Sequence, residues 1–334
     1  MLVEGHRVGQ VLGFAFRPDD DQAGDGQRAL LRAARRTLGR EIRARLRRLE
    51  AASDAAFTLD AGNRVLWHAE TINADPAAGV PIARLRSGAT IARPRIEPID
   101  SEFLDQAARR AIAARLDAWL SGRIEGLLAP LAQARRRAAR HPSLRGLVHL
   151  LDEGLGIAPA PDAAAALPSD HSLPRRLGIQ VGVFASWLAP LLKPHAMQLR
   201  AHLLAAHTGM PMPAIPPPGA ISVPTHADFA TASTLLHGWV SAGPVLVRLD
   251  VAERIVRDLD RRAGAGELAL PPDLASRLGC RAALLPAVLR SLGFRLVKGE
   301  AGALVLRPRR NPRAPRPRAV PANPAFAALA ALKP

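Results

Sequence analysis

Cysteine occurs once in 334 residues, at Cys280, so the chain has neither an intramolecular disulfide framework nor a thiolate cluster for zinc or for iron and sulfur. A reducing compartment is expected. Tyrosine is absent and aromatics make up 4% of the residues, which leaves few rings on which nucleic-acid bases could stack. Lysine stands only at 193, 298 and 333. The most apolar stretch, Ile179 to Leu192, is 14 residues long and is interrupted by Gln180 and Ser186. A bilayer span needs about 20. Met1 to Arg17 carries Glu4, His6 and Arg7 and lacks the apolar core of a secretory signal. A soluble, cytoplasmic protein with no membrane partner is expected.

Catalytic patterns are missing as well. No Gly-x-x-x-x-Gly-Lys-Ser/Thr loop cradles a nucleotide, no acidic box holds its magnesium, and no Gly-x-Ser-x-Gly elbow presents a nucleophile. His195, His202 and His207 are spaced by seven and five, which does not stack neighbouring rings on a helix as a spacing of four would. They read as ordinary helix-face histidines. Cys280 reads as a small apolar residue, since no His or Asp pattern activates it. No catalytic residue, metal site or cofactor is therefore assigned to this chain.

What the sequence has is positive charge. Lys and Arg number 46 against 29 Asp and Glu, a formal charge of +17, on a chain that is 48% hydrophobic and so can bury cores. Codon usage in a GC-rich genome accounts for arginine over lysine but not for base over acid, and a polyanionic partner is expected. The charge is clustered. Nine arginines between Arg28 and Arg48 face one acid, Glu41, and six more between Arg307 and Arg318 face none. The first cluster reads either as the solvated face of an amphipathic helix or as a phosphate-binding face. The second alternates with Pro308, Pro312, Pro315 and Pro317 and predicts an extended arm, which as an inert tail would only solubilise and as a contact would meet phosphates.

The pattern along the chain predicts an α+β, mostly helical fold. Residues 1–100 read as an α+β unit: short glycine-punctuated strands, a basic helix over Gln27 to Ala52, then strands at 57–59, 65–67 and 82–99. Residues 101–208 read as a helical region, with stripes at Phe103 to Leu120 and Ile124 to Leu131 giving successive bundled helices. Residues 158–171 read as a linker, and a helix is expected from His195 to about His207. The prolines from Pro211 to Pro224 read as a stiff connection within residues 209–240. In residues 241–307 a strand at Val245, a helix opened by the capping pair Asp250 and Glu253, two helices closed by Gly279 and Gly293, and a hairpin predict a winged helix. Pro286 requires the third helix either to begin near Leu285 or to bend. Residues 308–334 form the basic tail, with a small apolar patch from Pro324 to Leu329.

The segments Val3–Gly9 with Leu12-Gly13-Phe14, Pro81–Leu85, Leu177–Ile179 through Pro190–Pro194, Gly243-Pro244, Leu278–Cys280, Leu289–Phe294 and Asn323–Leu329 occur in an order and spacing that resembles one family almost end to end. It is the C-terminal accessory region of alphaproteobacterial superfamily-two (DEAD/DExH-type) helicases related to the mitochondrial degradosome RNA helicase. Phe184-Ala185-Ser186-Trp187 and Pro286 depart from its pattern. The resemblance implies an accessory module that guides nucleic acid through two RecA-like motor domains, RNA being favoured over DNA by analogy. The motor's own motifs have no counterpart here, so ATP and magnesium are expected only through a separate motor, and the chain is not expected to be catalytic alone. The candidate nucleic-acid contacts are Arg28, Arg32, Arg35, Arg36, Arg40, Arg43 and Arg47; Arg281, Arg290, Arg295 and Lys298; and Arg307, Arg309 and Arg310. A stand-alone winged-helix DNA-binding regulator is the competing reading, and it would be expected to dimerise.

Overall fold

The computed structural model describes residues 2–3, 6–7, 9–18, 25–68, 79–160, 167–168, 172–213, 216–225, 234–264, 267–298 and 304–307. Before residue 38 the side chains described are those of residues 13 and 14. The proline-arginine tail, with Arg309, Arg310 and the apolar patch at 324–329, lies outside the described residues, as does the loop 299–303.

Short strands open the chain: β1 (Leu2–Val3) pairs with β2 (His6–Arg7), and β3 (Gly9–Leu12) with β4 (Ala15–Pro18). The 27-residue helix α1 (Asp25–Ala51) follows, and Leu38, Ile42, Arg45 and Leu49 form its buried stripe. Next comes an antiparallel sheet in the order β5 (Phe57–Leu59), β6 (Arg64–Trp67), β7 (Val80–Thr90), β8 (Arg93–Pro98). Its prolines sit where a missing N–H is harmless. Pro94 and Pro98 are on the edge strand β8, and Pro81 pairs with Leu66 beside an irregularity at Val65/Leu66. Val65, Trp67, Ile82, Leu85 and Ile96 point into the core while Arg64, Arg84, Arg86 and Arg95 face out.

One helix, α2 (Gln106–Ala138, 33 residues), covers both stripes for which separate helices were expected. Ile112, Leu116, Leu120, Ile124, Leu128 and Leu131 stay in phase, so nothing breaks the face at Ser121-Gly122. Asp105 caps it, accepting from the Ala108 N–H at 2.7 Å. α3 (Arg145–Glu153) turns back, and α2 packs against α1, α3 and β8. The expected linker begins instead as β9 (Ile157–Pro159), which pairs with β11 (Ala185–Leu188) through register partners such as Ser186 and Ala158. Between them lie α4 (Ser172–Arg176) and β10 (Ile179–Val181). Helix α5 (Pro194–Thr208) starts on proline, ends at the left-handed Gly209 (φ 70°), and is buried nearly all round.

The proline-rich connection is also partly structured. Ser222–Pro224 is β12, whose edge position tolerates Pro224; it pairs with β14 (Val245–Arg248), which pairs in turn with β13 (Trp239–Ala242). Then follow α6 (Leu249–Ala263), β15 (Leu268–Ala269), α7 (Leu274–Arg277), α8 (Leu285–Ser291), β16 (Arg295–Lys298) and β17 (Leu304–Arg307), with the last sheet ordered β15-β17-β16. Pro286 falls in the first turn of α8, so the helix starts at Leu285 and has no interior proline to accommodate. Gly279 (φ 64°) and Gly293 (φ 96°) take the left-handed conformation that ends α7 and α8.

The capping pair expected at α6 does not form. Asp250 instead pairs with Arg248 (2.6 Å), and Glu253, 1% exposed, reaches into the β10–β11 turn to accept the N–H groups of Val183 (2.8 Å), Phe184 (2.6 Å) and Ala185 (3.2 Å). A long-range set of three donors outcompetes the local one. Two hydrophobic clusters result. One runs from Phe14 to Ala206, the other from Ile157 to Leu306. The small sheet β9–β11 faces both: Ile157, Ala185 and Trp187 belong to the second cluster, Ala158 and Leu188 to the first, as the two-residue repeat of a strand dictates.

His202 on α5, 2% exposed, is a buried fastener rather than a helix-face histidine. Its Nδ1 lies 2.7 Å from Asn63 Oδ1, holding the β5–β6 turn where Asn63 takes φ 56°. Burial pushes its pKa down to about 4, a shift that nearby Arg123 reinforces and Asp60 opposes. The unfolded chain therefore takes up this proton first, near pH 6.5, and stability falls as pH drops from there toward 4, by up to about 3 kcal/mol from this group. Denaturant midpoints measured across that window should show the fall, and His202→Gln should remove about half of it, since burial also pushes His237 down to about 4. An equal slope in the variant would assign the acid sensitivity elsewhere.

Candidate nucleic-acid interface

The arginines of α1 divide by the face they occupy. Arg45 is buried: its Nη1 donates to Gly13 O (2.9 Å) and its Nε to Glu41 (2.8 Å), which also takes Arg48 (2.9 Å). Partial burial pushes the Glu41 carboxyl up, but the two guanidiniums more than offset it and hold it below the usual range. The one acid of the cluster is thereby consumed. Arg40, Arg43 and Arg47 recur at spacings of three and four on the side opposite the buried stripe, exposed and without an ion-pair partner among the described residues. Arg28, Arg32, Arg35 and Arg36 occupy the first half of the same helix, where side chains are not described.

The remaining candidates belong to elements packed on the second cluster. Arg281 precedes α8, Arg290 is in its last turn, and Arg295 and Lys298 lie on β16; all four are exposed. Arg307 on β17 stands directly opposite Arg295 and is held by Glu267 at 2.6 Å. The structure thus brings Arg295 and Arg307 together, while Arg40, Arg43 and Arg47 sit on an element of the first cluster.

Two further groups of arginines were not singled out from the sequence. On the exposed sheet face Arg64 pairs in register with Arg84, and Arg86 with Arg95. Like charges directly opposite weaken a sheet, and among the described residues Asp60 (to Arg64, 2.6 Å) and Glu97 (to Arg86, 2.8 Å) relieve them. The second group is Arg135, Arg136, Arg137, Arg140 and Arg145, exposed where α2 gives way to α3. Its signal was a stretch of five arginines with no acid, hidden by its resemblance to an ordinary basic helix end. Beside it an open groove of about 1080 Å³ runs between the β7–β8 tip, α2 and α3, floored by residues such as Ile124, Leu128 and Leu131.

All four tryptophans are buried, and Phe14, Phe57 and Phe294 with them. Phe14 stacks on Trp67 (6.2 Å between centroids) and Phe57 tilts against Trp119 (5.6 Å), so these rings hold the fold and do not meet bases. Among the described residues no group of three His, Cys, Asp or Glu is placed to hold a metal ion. Cys280 is half-buried and free, and burial pushes its thiol up, away from the reactive thiolate. No described helix is long and apolar enough to cross a membrane. No family model, curated protein or solved structure matches the chain.

Proposed function

We propose that this chain is a nucleic-acid-binding accessory module of the helicase type, acting in the cytoplasm with an ATP-dependent motor on a separate polypeptide. Single-stranded RNA is its preferred partner, and single-stranded DNA is a weaker one. The observation that carries the reading is the unneutralised arginine of α1: Arg40, Arg43 and Arg47 face solvent while Glu41 is committed to Arg45 and Arg48. Cations kept free of the neighbouring acid cost the fold self-repulsion and suit a phosphate backbone. With the four tryptophans and Phe14, Phe57 and Phe294 buried, contact falls mainly on phosphates and sequence preference is weak.

Residues 241–307 are read as a winged helix, supported by the order α6, β15, α7, α8, β16, β17 and the sheet order β15-β17-β16. This fold also favours the second reading, a DNA-binding regulator. Against it, α8 is 7 residues long and carries one exposed cation, Arg290, which is too little to read a major groove. The winged helix serves here as a backbone contact or a packing surface for the motor.

The test is affinity for labelled single-stranded RNA and DNA of several sequences across low to moderate salt. With about four to six phosphates neutralised, log K should fall with log salt at a slope of about −3 to −4, at roughly 0.7 per contact. A slope near zero, or no binding, overturns the reading. A dimer that prefers one duplex sequence would support the regulator instead.

A further inference from the structure

The corner between α2 and α3 carries more charge than its helices need. Between Arg135 and Arg145 the sequence holds five arginines and no acid, and all five are exposed. Helix-end electrostatics accounts for Arg135, Arg136 and Arg137, since cations in a last turn meet the negative end of the helix dipole. It does not account for Arg140, which lies beyond α2. It opposes Arg145, the first residue of α3, where a positive charge meets the positive end and no acid stands in the first turn. Arg136, Arg137, Arg140 and Arg145 have no ion-pair partner among the described residues. Stability therefore does not explain the set.

The groove adjoins this corner. Arg93, Arg135 and Arg136 line it, beside the apolar residues Ile124, Leu128 and Leu131. Glu125, Asp152 and Glu153 also line it, Asp152 in the field of Arg135, so phosphate is expected at the α2–α3 corner, where Arg136, Arg137, Arg140 and Arg145 have no acid among them. Guanidiniums clustered beside an apolar floor match a strand that is anionic along one edge and flat and apolar along the other. A duplex, with its bases stacked inside, offers nothing to that floor.

We propose that Arg136, Arg137, Arg140 and Arg145 form a phosphate-contact surface for single-stranded nucleic acid, and that the strand continues from this corner into the groove with its bases against Leu128 and Leu131. The proposal rests on the nucleic-acid reading above and adds a surface that reading did not include. It is tested on the full chain with fluorescent oligouridine, comparing wild type with R136A/R137A/R140A/R145A, with A129W, which fills the groove from an exposed position on α2, and with R110A/R175A/R176A/R254A, four exposed arginines elsewhere. The corner variant should bind roughly tenfold or more weakly at about 0.1 M salt, with its salt slope shallower by about 1 to 2, two or three of the roughly four to six phosphates. A129W should weaken binding while keeping most of the slope, and the control should keep both affinity and slope within about twofold. Melting temperatures should move by no more than about 3 °C, the size of the helix-end contribution of Arg136 and Arg137. Wild-type affinity in the corner variant, or an equal loss in the control, overturns the corner, and unchanged binding by A129W overturns the groove. If the wild type binds with the expected slope, those failures leave the general reading intact; if it does not bind, both fall. Binding of an acidic helical peptide in preference to oligouridine would reassign the surface to a protein partner.

Discussion

Replacing Glu253 by alanine is expected to lower stability by about 3 to 5 kcal/mol, the sum of three unmet donors and a cavity. Its carboxylate is the acceptor for the N–H groups of Val183, Phe184 and Ala185, and Gly182 leaves it room, since a Cβ there would run into it. Burial pushes the carboxyl pKa up and the three N–H groups pull it down, and burial prevails. In the fold Glu253 thus keeps its proton to higher pH than in the unfolded chain. Its contribution to stability is largest at low pH and declines as pH rises from about 4.5 through the folded value. Glu253→Gln separates shape from charge. The oxygen that serves Phe184 and Ala185 can be kept, but an amide would face the Val183 N–H donor to donor, so a loss of about 1 to 2 kcal/mol is expected, without the pH-dependent decline. Denaturant titration of both variants from pH 4 to 8 checks this. An alanine variant within about 1 kcal/mol of wild type would show that the turn holds itself.

Arg200→Ala should be of similar size, about 3 to 5 kcal/mol. Arg200 is 0% exposed and has no carboxylate partner among the described residues; its Nε donates to Leu155 O (2.9 Å) and its Nη2 to Gly154 O (3.0 Å) and Leu236 O (2.6 Å). Burial lowers its pKa to about 9, which still leaves it charged at neutral pH. The carbonyls it satisfies belong to the turn after α3, where Leu155 (φ 50°) and Gly156 (φ 95°) are left-handed, and to the turn before β13. Its removal unties both. Arg200→Met fills the space and relieves the desolvated charge, so it should cost clearly less than alanine, whereas Arg200→Lys keeps the charge without the three-way reach. Equal stability of the methionine and alanine variants would mean that the guanidinium's hydrogen bonds, not packing, are the joint.

Neither residue announced itself in the sequence, and the reason is distance along the chain. Glu253 binds donors about 70 positions away, and its spacing from Asp250 matches a local capping pair, so the local pattern pointed to the wrong partner. Arg200 and His202 sit inside an alanine- and leucine-rich helix whose polar positions look like an exposed face until α5 is seen to be enclosed. Periodicity worked where one face decides: the stripe of α1, the alternation in β6 and β7, and the run from α6 to α8, where glycines and Pro286 mark the ends. It failed where continuity decides, since two stripes in phase are one helix, and where sheet position decides, since Pro159 and Pro224 are admitted by edge strands. The arginines of α1 could be read from sequence as a cluster. Which of them Glu41 neutralises could not, because Arg45 is drawn inward by Gly13.

The three strands β9, β10 and β11 put one hydrophobic cluster on each of their faces, and all four residues of β11 are buried. A sheet so placed cannot lose one core without exposing its other side to water, which ties the melting of the N-terminal sheet and helices to that of the C-terminal strands and helices. The chain should therefore unfold cooperatively in a single transition even though it has two cores. Strain applied at one end would reach the other through a shared wall and not through a flexible link.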